Sequence, residues 1–451
     1  MRLTDARRVA LNTLLAIDLD GAYANLALPK ELRAAQLEPR DAAFATELVY
    51  GTTRLAGRYD AIIRIVTGER SVGSFDPEVR AILRTGCHEI LTLETPAHAV
   101  VSQAVSAARE YVGERATGFV NGVLRSVARR PLAEWRAEVS GGRDGLGHWH
   151  SHPAWLVKEL TAALAAHGRS IEELPDLLAA NNRPPLIDLV IRRGDRGALL
   201  HELPLEVEPT ELSPIGMRLL RGNPARIREV RSGRLAVQDE GSQIMALIAA
   251  GAPIEGRDER WLDLCAGPGG KAGVLAARAE KVGAHLVANE VSRHRADLVA
   301  RTLRDFDSVE IRCADGRRVA EDEPGAYDRV LVDAPCTGTG ALRRRPDSRW
   351  RHSRSDLDDL TALQRDLLAA AAGALRPGGI LTYVTCSPLQ RETLAQVRFA
   401  AKTLGLTVLD TPAIAEHVLG RVIPEVGDTT SVQLWPHVHG TDAMFGVAFR
   451  R

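Results

Sequence analysis

A chain of 451 residues is longer than one hydrophobic core usually sustains, so two or three domains are expected. Apolar residues make up 45% and charged residues 26% of it, ordinary globular proportions that exclude disordered and fibrous classes. Basic and acidic residues balance at 58 each, so the chain as a whole does not attract nucleic acid, and any phosphate contact must come from a local patch.

The first residues, MRLTDARRVALNTLL, carry charges through a helical pattern and have neither an apolar leader nor a cleavage site. No stretch has the length and apolarity of a membrane span, and the expected location is the cytoplasm. Five cysteines (Cys87, Cys265, Cys313, Cys336, Cys386) stand at scattered spacings without a C-x-x-C pair, which fits neither a disulfide framework nor a zinc site. Each is read as a thiol, and no metal is expected.

Residues 1–140 read as helix after helix. Apolar side chains recur three and four apart at Leu11, Leu14 and Leu15, at Phe44 and Leu48, at Ile62 and Val66, at Val79, Ile82 and Leu83, at Val101, Ala104 and Val105, and from Phe119 to Val127. Gly51, Gly68, Gly86 and Gly113 are placed near helix ends. The segment 141–147 holds four glycines in seven residues without periodicity, and a flexible boundary is expected there. Residues 148–237 read as a small α+β subdomain, with a helix over Pro153–His167, a turn at 181–185 and a strand over Leu186–Ile191. Over 238–451 short apolar runs alternate with helices: Trp261–Cys265, His285–Asn289, Val309–Cys313, Arg329–Asp333 and Ile380–Thr385. That alternation predicts a parallel sheet covered on both faces, a Rossmann-like α/β domain.

The first of these runs ends in Asp263-Leu264-Cys265-Ala266-Gly267-Pro268-Gly269-Gly270-Lys271, a strand entering a glycine turn and then a helix. Such a turn admits a ligand to the backbone. Pro268 breaks the G-x-G-x-x-G spacing that a nicotinamide dinucleotide needs. Glu290, at the end of the second strand, can accept both hydroxyls of a ribose, and Asp315 ends the third. Carboxylates at consecutive strand ends repel a phosphate but suit a neutral nucleoside joined to a cationic methionine moiety, which points to S-adenosylmethionine. The cofactor set read from the residues is therefore Cys265, Ala266, Gly267, Pro268, Gly269, Gly270, Lys271, Glu290 and Asp315.

The fourth strand leads into Asp333-Ala334-Pro335-Cys336 and the fifth into Thr385-Cys386-Ser387-Pro388. Both thiols then stand at the ligand-binding edge of the sheet, and if the two strands are neighbours, with axes about 5 Å apart, the two sulfurs can face one pocket. Two such groups suit cytosine chemistry. A thiolate adding to carbon 6 makes carbon 5 nucleophilic, and a second group assists loss of the carbon 5 proton. Cys87, Cys265 and Cys313 are read as buried small hydrophobes. Between the two cysteine motifs Arg343, Arg344, Arg345, Arg349, Arg351 and Arg354 face only Asp347 and Asp356, with Trp350 among them. Arg343, Arg344, Arg345, Arg349 and Trp350 are expected to hold unpaired RNA, by ion pairing and stacking.

Together DLCAGPGGK, DAPCTGTG and VTCSP resemble the motifs of the NOL/NSUN/Sun family of RNA cytosine-5 methyltransferases, in order, from about Asn181 to the end. The resemblance implies that Cys386 is the nucleophile, that Cys336 aids product release, and that Asp333 both holds the cytosine amino edge and joins the cofactor set near the methionine end. RRVALNTLL and RDAAFATELVYGTTR look like the NusB-like RNA-binding module of the bacterial RsmB or Sun type, and SHPAWLVKEL, NNRPP and QDEGSQ are similar to its members. That subgroup modifies small-subunit ribosomal RNA, so 16S rRNA is the expected partner, with the enzyme a monomer. Thr337 after Cys336 and Thr393 after Glu392 depart from the usual serine and asparagine without touching a bond-making group. Two other readings remain: the same chemistry on transfer RNA, and a non-catalytic NusB-like RNA-binding or antitermination factor. The presence of Cys386, Cys336 and Asp333 together argues against the latter.

Overall fold

A computed structural model describes residues 2–203, 205–427 and 430–451, which divide into two compact units. The helical unit comprises 2–158, 178–183 and 342–351. Its helices include Asp5–Leu19, Pro39–Arg54, Ala56–Val66, Pro77–Leu91, Ala97–Tyr111 and Glu114–Ala128. Their apolar stripes meet in one core around Tyr59, Ile62, Ile63, Leu83, Val120, Leu124 and Val127, all fully buried. Gly68 and Gly113 stand at helix ends with positive φ, as expected. Gly51 and Gly86 do not. They lie inside helices, where the missing side chain permits close packing: a Cβ on Gly86 would stand 2.7 Å from Leu124 Cδ1.

The boundary expected at 141–147 falls inside this unit. Leu132–Gly141 and Gly145–Trp149 are both helical, and Trp135, Val139 and Trp149 belong to the same core. Gly145 serves proximity rather than flexibility, because a Cβ there would overlap the carbonyl of Ser140 at 2.3 Å.

The α/β unit contains two sheets. The smaller is antiparallel and joins β1 (Ile187–Ile191), β2 (Val207–Pro209), β3 (Gly216–Leu219) and β4 (Leu235–Val237) in the order β2-β3-β1-β4. Leu189, Leu199, Met217 and Leu235 form its apolar side. The larger sheet holds β5 (Arg260–Asp263), β6 (His285–Asn289), β7 (Val309–Arg312), β8 (Tyr327–Asp333), β9 (Leu375–Thr385), β10 (Thr407–Val408), β11 (Val432–Gln433) and β12 (Phe445–Arg450). Its order is β10-β12-β9-β8-β5-β6-β7, with β11 also on β12.

Strands β5 to β9 pair in parallel, and the order reverses beside β5, which opens a crevice at the carboxyl ends of β5 and β8. β12 runs antiparallel between β9 and β10, so the expected parallel sheet is mixed at one edge. Apolar clusters cover both faces, one around Trp261, Leu275 and Leu286, the other around Leu262, Leu368 and Tyr383. Among the described residues no helix is long and apolar enough to cross a membrane.

Candidate active site

The glycine turn leaves β5 at Asp263 and enters the helix Gly270–Val282, opened by Gly269 at φ +103°. It is tied down by neighbouring strand ends. Ala266 N–H donates to Asn289 O at 2.8 Å, and Asn289 Nδ2 donates to Leu264 O and Ala314 O at 3.0 and 3.1 Å. Gly267 lies against the end of β6: a Cβ there would meet Glu290 Oε2 at 2.2 Å. Glu290 is buried and accepts from Gly267 N at 3.1 Å and Ser292 N at 3.0 Å, with Arg295 Nη2 at 3.5 Å. Asp315, after β7, sits at the rim instead. Arg317 donates to it from its side chain and backbone at 2.6 to 3.0 Å and holds its carboxyl below the usual range.

The floor carries the charge. Lys271 Nζ donates to Asp333 Oδ2 at 2.8 Å. Burial works against the Lys271 ammonium, but Asp333 and then Cys386 outweigh it and raise its pKa. Asp263, at the carboxyl end of β5, is fully buried, and among the described residues no side chain hydrogen-bonds to its carboxyl oxygens. Burial and the neighbouring Asp333 push it up to about 8, against the opposing pull of Lys271 and the Cys265 amide. A buried carboxyl and an Asn289 Oδ1 that no side chain satisfies among the described residues, beside a turn with no room for a Cβ at Gly267 or Gly269, fit a small ligand with cationic and hydroxyl groups. S-adenosylmethionine has both. Asp263 was not among the expected cofactor residues. The sequence signal was its place as the last strand residue before the turn.

Beside this floor, at the ends of the adjacent parallel strands β8 and β9, Cys336 Sγ and Cys386 Sγ lie 3.4 Å apart. Their proximity was expected from strand adjacency, and Asp333 and Lys271 join them. The hydrogen bond with Cys386, then burial, raise the Cys336 pKa well above that of an ordinary thiol. None of the five cysteines is in a disulfide. Cys265 is raised well above the ordinary range by burial and nearby carboxylates, Cys87 is fully buried, and Cys313 is exposed rather than buried.

Two members of the arginine-rich stretch, Arg349 and Arg343, depart from their expected role. Arg349 is fully buried in the helical unit. Its Nη1 donates to Arg54 O at 3.2 Å, Ser151 O at 2.9 Å and Asn182 Oδ1 at 2.8 Å, and its Nη2 to Asn181 O at 3.4 Å. Arg343 is buried as well, and Arg351 pairs with Asp347 at 2.7 Å and caps the Gly21 carbonyl. Arg344 is half-buried. Arg345 is exposed, as is Trp350 at 45%, whose ring edge packs on Gly57. The Arg349 and Arg351 guanidiniums fasten the segment to distant carbonyls, which helps a run of like charges to be stable here.

The β5–β9 core with its glycine turn and strand-end carboxylates defines a Rossmann-like methyltransferase. Comparison with known proteins narrows this. Residues 253–450 match the family model described as 16S rRNA methyltransferase RsmB/F, and residues 4–129 match the NusB family. The chain is 45% identical over its whole length, and 97% of the relative's, to Rv1407 of Mycobacterium tuberculosis, a protein named as a methyltransferase. It is 32% identical to the ribosomal RNA small subunit methyltransferase B of Pasteurella multocida, covering 88% of this chain and 86% of that one. The solved structure of PH0851 has the same fold over 100% of both chains, with TM-score 0.78 and 21% identity. NSun6 from Pyrococcus horikoshii matches 66% of this chain and 98% of its own, with TM-score 0.53 and 18% identity. The chain belongs to the RsmB/F family of 16S rRNA methyltransferases, with a NusB domain at its amino end.

Proposed function

We propose that this protein methylates carbon 5 of a cytosine in small-subunit ribosomal RNA, through a covalent bond from Cys386 to carbon 6. The observation that carries the reading is the 3.4 Å approach of Cys336 and Cys386 beside the Lys271–Asp333 pair. The glycine turn 265–271, Asp263 and Glu290 would hold S-adenosylmethionine, with Asp315 at the rim. When bound, that cofactor supplies a methyl group on a positively charged sulfur.

The chain's own residues divide the remaining work. The Lys271 cation favours a thiolate on Cys386, the form that adds to carbon 6. Asp333, half in the site, accepts from the cytosine amino group. Cys336 starts as a neutral thiol because its bond to Cys386 holds its proton. Once Cys386 is a thioether on the base, that restraint is gone, and Cys336 ionises more readily to take the carbon 5 proton. Loss of that proton restores the ring double bond and expels Cys386. A base stacked within a duplex hides carbon 6, so the cytosine must arrive unpaired or swung outward.

The test is methyl transfer from labelled S-adenosylmethionine to purified 16S rRNA and to transfer RNA, followed by nucleoside analysis. The expected product is 5-methylcytosine in 16S rRNA, abolished by Cys386→Ala. Label in transfer RNA alone, or an active Cys386→Ala enzyme, refutes the reading.

A further inference from the structure

Beneath the two thiol loops runs a chain of buried hydroxyls that ends on a carboxylate. Glu392 is fully buried, and among the described residues no cation pairs with it. Its Oε1 accepts from Thr337 N at 2.8 Å and Gln364 Nε2 at 3.1 Å, and its Oε2 from Thr337 Oγ1 at 2.6 Å. Thr337 Oγ1 lies 3.2 Å from Thr339 Oγ1, which lies 3.1 Å from Ser387 Oγ, and Leu389 N–H donates to Ser387 Oγ at 3.2 Å. Thr337, Thr339 and Ser387 are all buried.

A carboxylate only accepts, so the Thr337 hydroxyl must donate to Glu392. Its oxygen then accepts from Thr339, and that of Thr339 from Ser387, so one charge sets the direction of every hydroxyl in the chain. Bonds aligned in this way strengthen one another in a buried setting. The two ends are the residues that directly follow the two thiols, Thr337 after Cys336 and Ser387 after Cys386. The loops are also tied by Gly340 N to Cys386 O at 2.9 Å and by Gln364 Nε2 to Pro335 O at 2.9 Å. Tyr383 Oη fixes the Glu392 backbone at 2.8 Å.

From this we infer that Glu392 is a positioning residue: through the directed chain Thr337–Thr339–Ser387 it holds the Cys336 and Cys386 sulfurs in contact. The inference concerns the geometry of the thiol pair, and it bears on catalysis through the function proposed above. Glu392→Gln keeps the shape but offers an amide nitrogen to one of the two Thr337 donors. With the nitrogen at Thr337 Oγ1 the chain reverses and the Ser387 hydrogen finds no acceptor within it; with the nitrogen at Thr337 N, that amide and Gln364 Nε2 lose their acceptor instead.

Oxidation by diamide, an azo compound, reads the sulfur contact without RNA or cofactor. Each diamide takes the two thiol hydrogens to become a hydrazine while the sulfur–sulfur bond forms. Wild-type protein is expected to form the Cys336–Cys386 disulfide, detected as a linked peptide by mass spectrometry. Glu392→Gln and Thr337→Val are expected to form it roughly tenfold more slowly, the scale of losing one buried charged hydrogen bond, and Thr337→Ser to recover the rate. In methyl transfer the first two variants should lower kcat with KM for RNA and for S-adenosylmethionine unchanged. Wild-type oxidation rates in folded Glu392→Gln or Thr337→Val, or no disulfide in wild type, overturn the inference. Should Glu392→Gln fail to fold, the contrast between Thr337→Val and Thr337→Ser decides. An altered oxidation rate alongside inactive wild-type enzyme would instead leave this inference standing and remove the proposed function.

Discussion

Replacing Arg349 with methionine separates a structural tie from an RNA contact. The arginine brings four oxygen acceptors together at 2.8 to 3.4 Å, namely Arg54 O, Ser151 O, Asn181 O and Asn182 Oδ1. Methionine fills much of the volume and relieves the desolvation of a buried cation, but it leaves those oxygens without their donor. Each orphaned buried group costs about 1–3 kcal/mol, and the relieved burial offsets part of the sum, so a net loss of about 3 kcal/mol is expected. For a unit of this size that shifts the melting transition of the helical unit by roughly 6–12 °C. Circular dichroism melts measure it, with Arg345→Met, at an exposed site, expected to change stability by no more than about 0.5 kcal/mol. A phosphate contact behaves differently: its loss leaves the melt alone and lowers the slope of log affinity against log salt by about 0.7–0.9. Unchanged melting of Arg349→Met together with a reduced salt slope would refute the structural assignment.

Asp263 makes stability depend on pH. Its folded pKa, about 8, lies above its ordinary value of 3.8, so the folded state binds more protons than the unfolded state between these values. Stability of the cofactor-free protein should therefore fall as pH rises from about 4 to about 8, and Asp263→Asn should remove that component in urea melts at pH 5 and pH 8. Lys271→Met should slow alkylation of Cys386 by iodoacetamide at neutral pH roughly tenfold, with Lys271→Arg retaining part of the rate, as expected if a cation supports the thiolate. Gly86→Ala places a methyl group 2.7 Å from Leu124 and should cost about 1–3 kcal/mol, part of it recovered in the double variant with Leu124→Ala.

The thiol pair was legible because each cysteine stands within three residues of the end of a strand-like run, and parallel strands present their carboxyl ends to one edge. The same logic located Glu290, and the glycine turn after β5 drew in Lys271. β12 was missed because Phe445–Arg450 is buried on both faces as far as Phe449, so the alternation that marks a strand is absent. The glycines at 141–147 read as a linker because composition alone does not distinguish a flexible glycine from one that admits a carbonyl, as Gly145 does. Arg349 misled for a related reason. Partners of Arg349 lie up to 295 residues away, so a free cation and a buried fastener share one sequence pattern. Glu392 drew notice only as a neighbour of an altered position, since the hydroxyls it orients come from two separate loops.

The most direct measurement is the fate of Cys336→Ala incubated with 16S rRNA and S-adenosylmethionine, followed by denaturing gel and peptide mass spectrometry. Removal of the second thiol should stall release and accumulate an RNA-linked protein whose modified peptide contains Cys386. A linkage to any other cysteine, or methylated RNA released at the normal rate with no adduct, would contradict the division of labour between the two sulfurs.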